Sequence, residues 1–408
     1  MSKVLAFVLA GGEGTRLLPL TRDRAKPAVP FGGRYRIIDF VLSNLINSGI
    51  LRIKIMTQFK SESLNRHLKK GWHLSSPLDQ YIDPVPAQMR TGRNWYLGSA
   101  DAVYQNLNLL HDSHADTVCV FGADHVYRMD VRQLLDFHAR NSADATVAAI
   151  PYPIEEASSF GIIGADKTFR IISFKEKPKN PAPLPGDKKK AFVSMGIYVF
   201  NASFLEKAVA EDSKNNSSSH DFGRDIIARY YKKAKFMAYD FSKNSYAGMS
   251  ASERGYWRDI GSIDSYWQAS MDLVSLSPIF NLYNNAWPIR TAMDPHPPAK
   301  FVFADELSKR IGMATDSLVS EGCIISGGRI DRSILSPQVR INSFAHVEES
   351  ILFENVNIGR YSKIRRAIID KNVDIPPNTV IGYDPKSDKK KYYVSEKGIV
   401  VIPKGMKL

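Results

Sequence analysis

Cysteine is nearly missing from this chain: only Cys119 and Cys323 occur in 408 residues. Each sits inside an apolar run, where the residue acts as a small hydrophobe. Two such positions exclude a disulfide framework and a cysteine zinc site, and fit a reducing cytoplasm. Long hydrophobic runs are absent too. No stretch approaches the roughly 18 to 20 apolar residues that cross a bilayer, so no membrane partner is expected. The short apolar start, Lys3–Ala10, feeds directly into a glycine-rich loop, so a cleaved leader is not expected. Acidic residues are in deficit, 42 against 55 Lys and Arg, leaving a net charge of +13. The basic clusters (Arg22/Arg24/Lys26, Arg34/Arg36, Lys188–Lys190, Lys232–Lys235, Lys389–Lys391) are scattered, and no nucleic-acid recognition pattern accompanies them. The charge therefore favours small phosphates over nucleic acid as partners.

What is present divides the chain in two. Through about residue 275, aliphatic runs (Lys3–Ala10, Ile53–Thr57, Thr117–Gly122, Thr146–Ile150) alternate with helical patterns (Arg36–Ser48, Ser61–His67, Ser99–Leu110, Val131–Asn141). That alternation predicts an α/β domain over 1–275: a doubly wound, mostly parallel, Rossmann-like sheet with helices on both faces. Ligands of such sheets bind beyond the carboxyl ends of the strands, which selects the residues after Ala10 and Gly122. Residues 276–300 hold five prolines and no sustained period, and read as a linker. From Leu318 to Ile381 an Ile, Leu or Val recurs at steps of 6, 6 and 5 residues, twelve positions in all. Six-residue aliphatic steps mark a hexapeptide parallel β-helix, here expected over 301–408. Carried backward, the register reaches Met313, Leu307 and Phe301.

The loop after the first strand has glycine at 11, 12 and 14. It is neither a P-loop, which needs Gly-Lys-Ser/Thr where Thr15-Arg16-Leu17 stands, nor the dinucleotide fingerprint, which needs glycine at Leu17. Its exposed backbone N–H groups can still cradle phosphate oxygens. Arg16 and Lys26 supply cations able to neutralise a triphosphate and departing pyrophosphate. Asp124, at a strand end, and Asp259, in a distant segment, make a hard-oxygen pair suited to Mg²⁺. His125 reads as a packed or hydrogen-bonding histidine. Glu176 and Lys177 offer a carboxylate for sugar hydroxyls and an ammonium for a phosphate.

Together these stretches resemble the nucleotide-sugar pyrophosphorylases, most closely the bacterial glucose-1-phosphate adenylyltransferases. The segments carrying the resemblance are Leu9–Leu17, Arg24–Val29, Phe31–Phe40, Trp95–Ala102, Gly122–His125, Phe174–Pro178, Ser194–Phe200 and Tyr256–Gly261. The resemblance implies AMP transfer from ATP to glucose 1-phosphate for glycogen-type α-glucan synthesis. It implies a left-handed β-helix at the C-terminus and a homotetramer controlled by phosphorylated metabolites. By position it implies that Gly11, Gly12, Gly14, Thr15, Arg16, Gln88 and Gly98 hold the nucleotide. It gives glucose 1-phosphate to Tyr96, Gly161, Glu176, Lys177 and Ser194, the metal to Asp124 and Asp259, and an effector to Arg24 and Arg36. Three departures stand out: Glu13 in the loop, Ser99 where Thr is usual, and Asp23 and Pro30 where some regulated members carry Lys and His. Alternatives are a transferase for another nucleotide or sugar phosphate and a weakly catalytic regulatory paralogue. A β-helix acyltransferase needs a coil histidine, and His346 alone is there, without a supporting motif. Lys389–Val394 are a further candidate for an anion site between the domains.

Overall fold

The computed structural model describes residues 3–92, 94–302, 304–305 and 307–408. Nine strands form the first sheet: β1 Val4–Ala10, β2 Arg52–Thr57, β3 Tyr81–Pro86, β4 Thr117–Gly122, β5 Ala145–Pro153, β6 Gly161–Ala165, β7 Ile171–Glu176, β8 Lys190–Asn201 and β9 Phe236–Asp240. Their order is β7-β6-β8-β4-β1-β2-β3, and β5 pairs with both β8 and β9. The block β4-β1-β2-β3 is parallel. The long β8 pairs antiparallel with β4, β5 and β6 and makes the sheet mixed. Leu5, Ala6, Phe7 and Val8 of β1 are all fully buried, as a central parallel strand covered on both faces must be. Helices Ile37–Asn47, Glu62–Gly71 and Val131–Arg140 cover one face. Helices Ser99–Tyr104, Leu107–Ser113 and Ala202–Asp212 cover the other.

Two differences from the sequence reading have local causes. The single helix expected over 99–110 is two, because the Asn106 side chain donates to the Ala102 carbonyl (2.8 Å) and the Tyr96 hydroxyl (3.0 Å). A side-chain amide that competes for helix carbonyls interrupts the ladder. β3 went unseen because Pro84 and Pro86 argue against a strand; it lies on the sheet edge, where proline is tolerated.

Residues 276–299 contain no helix or strand, yet they are strapped to the sheet domain. Phe280, Trp287 and Ile289 are buried, and Thr291 donates to the fully buried Asp39 carboxylate at 2.7 Å. Asp39 also receives His67 and Trp72, so one carboxylate ties the strap to two helices. Beyond it, three parallel sheets stack as a left-handed β-helix. Register runs Ile330–Val347–Ile364–Ile381, Leu335–Leu352–Ile369 and Ile341–Ile358–Ile375, every one of these side chains buried inside. The first coil is a residue out of step. Val319 and Ile325, rather than Leu318 and Ile324, stand in register with Leu335 and Ile341. Leu318 instead packs against the sheet domain. Phe301 pairs with Ile325, and the extra chain between Val302 and Met313 leaves Leu307 exposed. Among the described residues no helix is long and apolar enough to cross a membrane.

One outer face of the β-helix is itself apolar. Ile334, Ile351 and Ile368, with Phe353, Ile399 and Val401, share a core with Leu17, Leu20, Val29 and Phe31 from the segment after the glycine-rich loop. Within that seam Arg24 makes a two-pronged ion pair with Asp370 (2.9 and 2.8 Å) and donates to the Leu20 carbonyl at 3.1 Å. The partners' side chains are 4% and 2% exposed. Removing one member of a buried pair strands the other charge, at a cost of about 3–5 kcal/mol, whereas replacing both by apolar groups is close to neutral. Arg24→Met is therefore expected to lower the thermal midpoint by several degrees and Arg24→Met with Asp370→Leu to restore most of it. Calorimetry of the three proteins checks this; equal midpoints for single and double variants contradict it.

Candidate active site

The carboxyl ends of β1 and β4 open into a cleft of about 430 Å³, lined by Gly12, Gly14, Thr15, Arg16, Lys26, Asp124, His125, Lys177, Tyr198 and Asp221 among others. The loop turns sharply at Gly14, whose φ of +66° favours a residue without a Cβ. Its carbonyl accepts the Thr21 hydroxyl at 2.8 Å, which fixes the loop against the segment carrying Lys26. Gly12 faces open space, so its backbone is free to approach a ligand. Arg16 is exposed on the cleft wall, with no ion-pair partner among the described residues. Glu13 is exposed and lines neither this cleft nor its neighbour.

That neighbour, of about 300 Å³, is walled by Leu9, Gly11, Met56, Gln58, Phe59, Tyr96, Gly98 and Ala102. Its walls are mostly apolar, with aromatic and amide groups from Phe59, Tyr96 and Gln58, the composition of a small-molecule pocket. Gln58 shapes it: its side-chain oxygen accepts the Tyr96 N–H at 2.6 Å. Phe59 stacks on Trp95 with centroids 5.9 Å apart.

Asp124 follows β4 directly, and Asp259 ends a short ribbon in which Trp257–Asp259 pairs antiparallel with His125–Tyr127. The register sets Asp259 opposite His125, and this brings two segments 135 residues apart in sequence to one point. Lys26 Nζ lies between the carboxylates, 2.8 Å from Asp124 and 3.6 Å from Asp259. His125 Nε2 is 3.4 Å from Asp124 and 3.8 Å from Asp259. One ligand atom from each of Asp124, His125 and Asp259 falls within a 4.8 Å span. Burial works against the Asp124 charge, but Lys26 and then His125 hold its carboxyl well below the usual carboxylate range. An ammonium drawn between two ionised carboxylates shows that the spot attracts a cation. Hard oxygen donors in that arrangement fit a divalent metal.

Of the sugar-phosphate candidates, Lys177 lines the cleft itself, while Gly161, Glu176 and Ser194 belong to the adjoining strands β6, β7 and β8. Glu176 ends β7 opposite Gly161 of β6, and its carboxylate is wedged between two glycines. A Cβ on Gly161 would stand 2.8 Å from Glu176 Oε2, and one on Gly223 2.6 Å from it. Burial, the largest influence, raises the Glu176 carboxyl above its ordinary range; the Lys177 charge opposes this and Asp221 adds to it. Lys177 Nζ sits 3.4 Å from Glu176. Ser194 is buried in β8 just before a bulge at Gly196, and its hydroxyl accepts the Gly196 N–H at 3.3 Å. Tyr96 walls the neighbouring chamber, and its hydroxyl accepts from Asn106 at 3.0 Å.

Three expected residues fall elsewhere. Gln88 is exposed beyond β3 and lines neither chamber. Arg24 is sealed in the domain seam, as above. Arg36 lines a separate cavity of about 320 Å³ between the domains, where Arg34, Lys70 and Lys371 pair with Glu321, Asp294 and Glu354 and Arg66 and His67 complete the wall. Lys389–Lys391 lie in the helix Pro385–Lys391 and do not border that cavity; Lys391 lines a hollow at the far end of the β-helix instead. Sequence reasoning missed Gln58, Asp221 and the closeness of His125 to both aspartates. Gln58 follows the end of β2, so the strand-end rule had the means to find it. Asp221 sits in a serine-rich stretch without periodicity, and nothing in the sequence singled it out.

Comparison with known proteins agrees with this geometry. The nucleotidyl transferase family model matches residues 5–275, and the GlmU-like C-terminal hexapeptide model matches 297–402. The chain is 59% identical to a glucose-1-phosphate adenylyltransferase of Anaeromyxobacter sp. (strain Fw109-5), 53% to glucose-1-phosphate adenylyltransferase 1 of Vibrio cholerae and 50% to that of Vibrio parahaemolyticus. In each case all of this chain and all of the relative are covered.

The glycine wedge yields a prediction. In Gly223→Ala the new methyl meets the far end of the Glu176 side chain, which can swing away at little structural cost. The variant is expected to keep its thermal midpoint within about 2 °C. A carboxylate that accepts from sugar hydroxyls would be displaced, so the KM for the sugar phosphate should rise about tenfold. An unchanged KM contradicts the placement of Glu176.

Proposed function

The chain belongs to the glucose-1-phosphate adenylyltransferases of the nucleotidyl transferase family, and on that premise we propose how its cleft transfers AMP from ATP to α-D-glucose 1-phosphate, releasing ADP-glucose and pyrophosphate. The observation that carries the reading is the convergence of Lys26, Asp124, His125 and Asp259 beside the glycine-rich loop, with Lys177 across the same cleft and Glu176 3.4 Å from it.

A phosphate oxygen of glucose 1-phosphate attacks the α-phosphorus of ATP in line, and the bond to the β-phosphate oxygen breaks as pyrophosphate leaves. The nucleophile is already anionic, so no general base is needed. Catalysis then consists of positioning and charge neutralisation. Gly11, Gly12, Gly14 and Thr15 hold the triphosphate through backbone donors, while Gly98 and Gln58 wall the base chamber. Arg16 and Lys26 stabilise the departing charge. Lys177 orients the acceptor phosphate, and Glu176 accepts from sugar hydroxyls, with Gly161 making room for it and Ser194 beside it. Asp124 and Asp259 would hold Mg²⁺, with His125 next to them; the bound metal supplies Lewis-acid neutralisation at the α-phosphate.

For regulation, a phosphorylated metabolite is proposed to bind the basic cavity that holds Arg36 and Lys371. Arg24 acts there indirectly, holding Asp370, the neighbour of Lys371. A homotetramer is proposed for assembly, with exposed Phe344, Tyr361 and Val380 offering apolar area on the β-helix. A cytoplasmic setting, suited to two free buried thiols, and a role in glycogen-type α-glucan synthesis complete the reading.

Two measurements test it. Asp124→Asn is expected to lower kcat by about 10²–10³ while the KM for glucose 1-phosphate stays within about threefold, because a charge acting on the transition state is removed. A near-normal rate overturns the metal assignment. Pyrophosphate release followed over four nucleoside triphosphates and several sugar phosphates should be fastest for ATP with glucose 1-phosphate. A faster alternative pair points to a different transferase, and no release from any pair to a regulatory paralogue.

A further inference from the structure

His125 stands where the two carboxylates assigned to the metal meet, and among the described residues neither of its ring nitrogens is satisfied. Its Nε2 faces Asp124 Oδ1 at 3.4 Å and Asp259 Oδ1 at 3.8 Å, both beyond a hydrogen bond of ordinary length. Its Nδ1 is buried with no hydrogen-bond partner. The expectation of a packed or hydrogen-bonding histidine is therefore met only in its packing. The side chain is 12% exposed, and the ring lies edge-on to Trp257 with centroids 5.1 Å apart. A buried polar ring without a hydrogen bond is costly, and an ion is one of the few things that accounts for it.

The backbone brings the imidazole there by register. His125 pairs with Asp259 across the short ribbon and follows Asp124 directly in sequence. Asp124 offers its two oxygens separately, Oδ2 to Lys26 at 2.8 Å and Oδ1 to His125. Two ligand atoms about 2.1 Å from one ion stand about 3.0 Å apart at a right angle and about 3.4 Å apart at the tetrahedral angle. The His125–Asp124 separation matches the second figure, and the His125–Asp259 separation is only slightly wider. A hydrogen-bonded histidine would sit closer to one oxygen. Three ligands arranged around an ion would sit as these do.

We propose that His125 Nε2 is a third protein ligand to the divalent ion held by Asp124 and Asp259, and that this imidazole biases the site towards transition ions such as Co²⁺ and Mn²⁺ relative to Mg²⁺. The inference rests on the reading of Asp124 and Asp259 as the metal carboxylates. Two carboxylates alone make a hard oxygen site suited to Mg²⁺. Imidazole adds a softer nitrogen donor, which transition ions bind better than Mg²⁺ does. Mg²⁺ still binds through the carboxylates; the histidine adds affinity for its competitors.

Pulsed electron paramagnetic resonance on the full-length chain with Mn²⁺ and pyrophosphate reads the ligand directly, because pyrophosphate brings no nitrogen of its own. A bound imidazole is expected to give a nitrogen coupling on Mn²⁺. Labelling with ¹⁵N-histidine should convert that coupling without any substitution to disturb the fold, and H125Q should abolish it. In calorimetric titrations with pyrophosphate present, H125Q should bind Co²⁺ at least about tenfold more weakly than the parent. Its affinity for Mg²⁺ should stay within about threefold. The proposal is overturned by bound Mn²⁺ without a nitrogen coupling, by a coupling that survives in H125Q, or by equal losses for Co²⁺ and Mg²⁺. D124N separates this failure from failure of the reading beneath it. If the parent shows no coupling while D124N weakens Mn²⁺ binding, the carboxylates stand and only the histidine is removed. If D124N binds Mn²⁺ as the parent does, the metal assignment itself falls.

Discussion

The ammonium of Lys26, drawn between Asp124 and Asp259, is the contact on which the rest of the cleft depends. It joins three pieces of chain that share no local structure: the segment after the glycine-rich loop, the end of β4 and the ribbon at 257–259. Two ionised carboxylates this close repel one another, and a cation between them makes the arrangement favourable. The same pair of carboxylates is what the proposed divalent metal would use, so structure and proposed chemistry draw on one electrostatic feature. The buried Arg128–Glu253 pair (both 0% exposed), with Arg128 also on the Asn281 carbonyl, stiffens the ribbon from behind. The carboxylate pair therefore sits on a braced hairpin rather than a loose loop.

The second domain enters the chemistry through the seam. Leu17 and Leu20 follow the phosphate loop by a few residues and share a core with the outer face of the β-helix. Arg24 and Asp370 pin that contact two residues short of Lys26. Any rearrangement of the β-helix against the sheet domain thus acts first on the segment that supplies the cleft's central cation. The cavity around Arg36 and Lys371 opens on the same seam.

Much of this was legible in the sequence. Buried parallel strands such as Val4–Ala10 and Thr117–Gly122 announce themselves as uninterrupted aliphatic runs, and a glycine-rich turn after one of them marks the side on which the cleft opens. The β-helix was plain because its inward positions obey a fixed step. Only the first coil escaped, since one residue fewer at a corner shifts Val319 and Ile325 into the place expected for Leu318 and Ile324. The meeting of Asp124 with the distant Asp259 was anticipated, but other long-range juxtapositions were not legible. Nothing local to Asp221 says that it caps a helix and also meets Ser99 across the cleft. Arg24 illustrates the converse: its charge read as a ligand for an anion, and only the fold reveals a carboxylate already waiting for it in the β-helix. Edge strand β3, with its two prolines, was hidden because edge position is a property of the sheet and not of the strand.

The column formed by Ile334, Ile351 and Ile368 bears on how such a protein can change over time. A solenoid ordinarily grows or shrinks by whole coils with little penalty, because each coil meets only its neighbours. Here three successive coils also carry an outward isoleucine that must find Leu17, Leu20 and Phe31 on the sheet domain. Loss or gain of a coil in that stretch would slide the column past its partner and expose aliphatic surface to water. Coil number near the seam is therefore locked by the catalytic domain, and variation in length is confined to the two ends of the helix. The same lock means that the β-helix expressed alone would present a sticky face, so the two domains are committed to each other as one heritable unit.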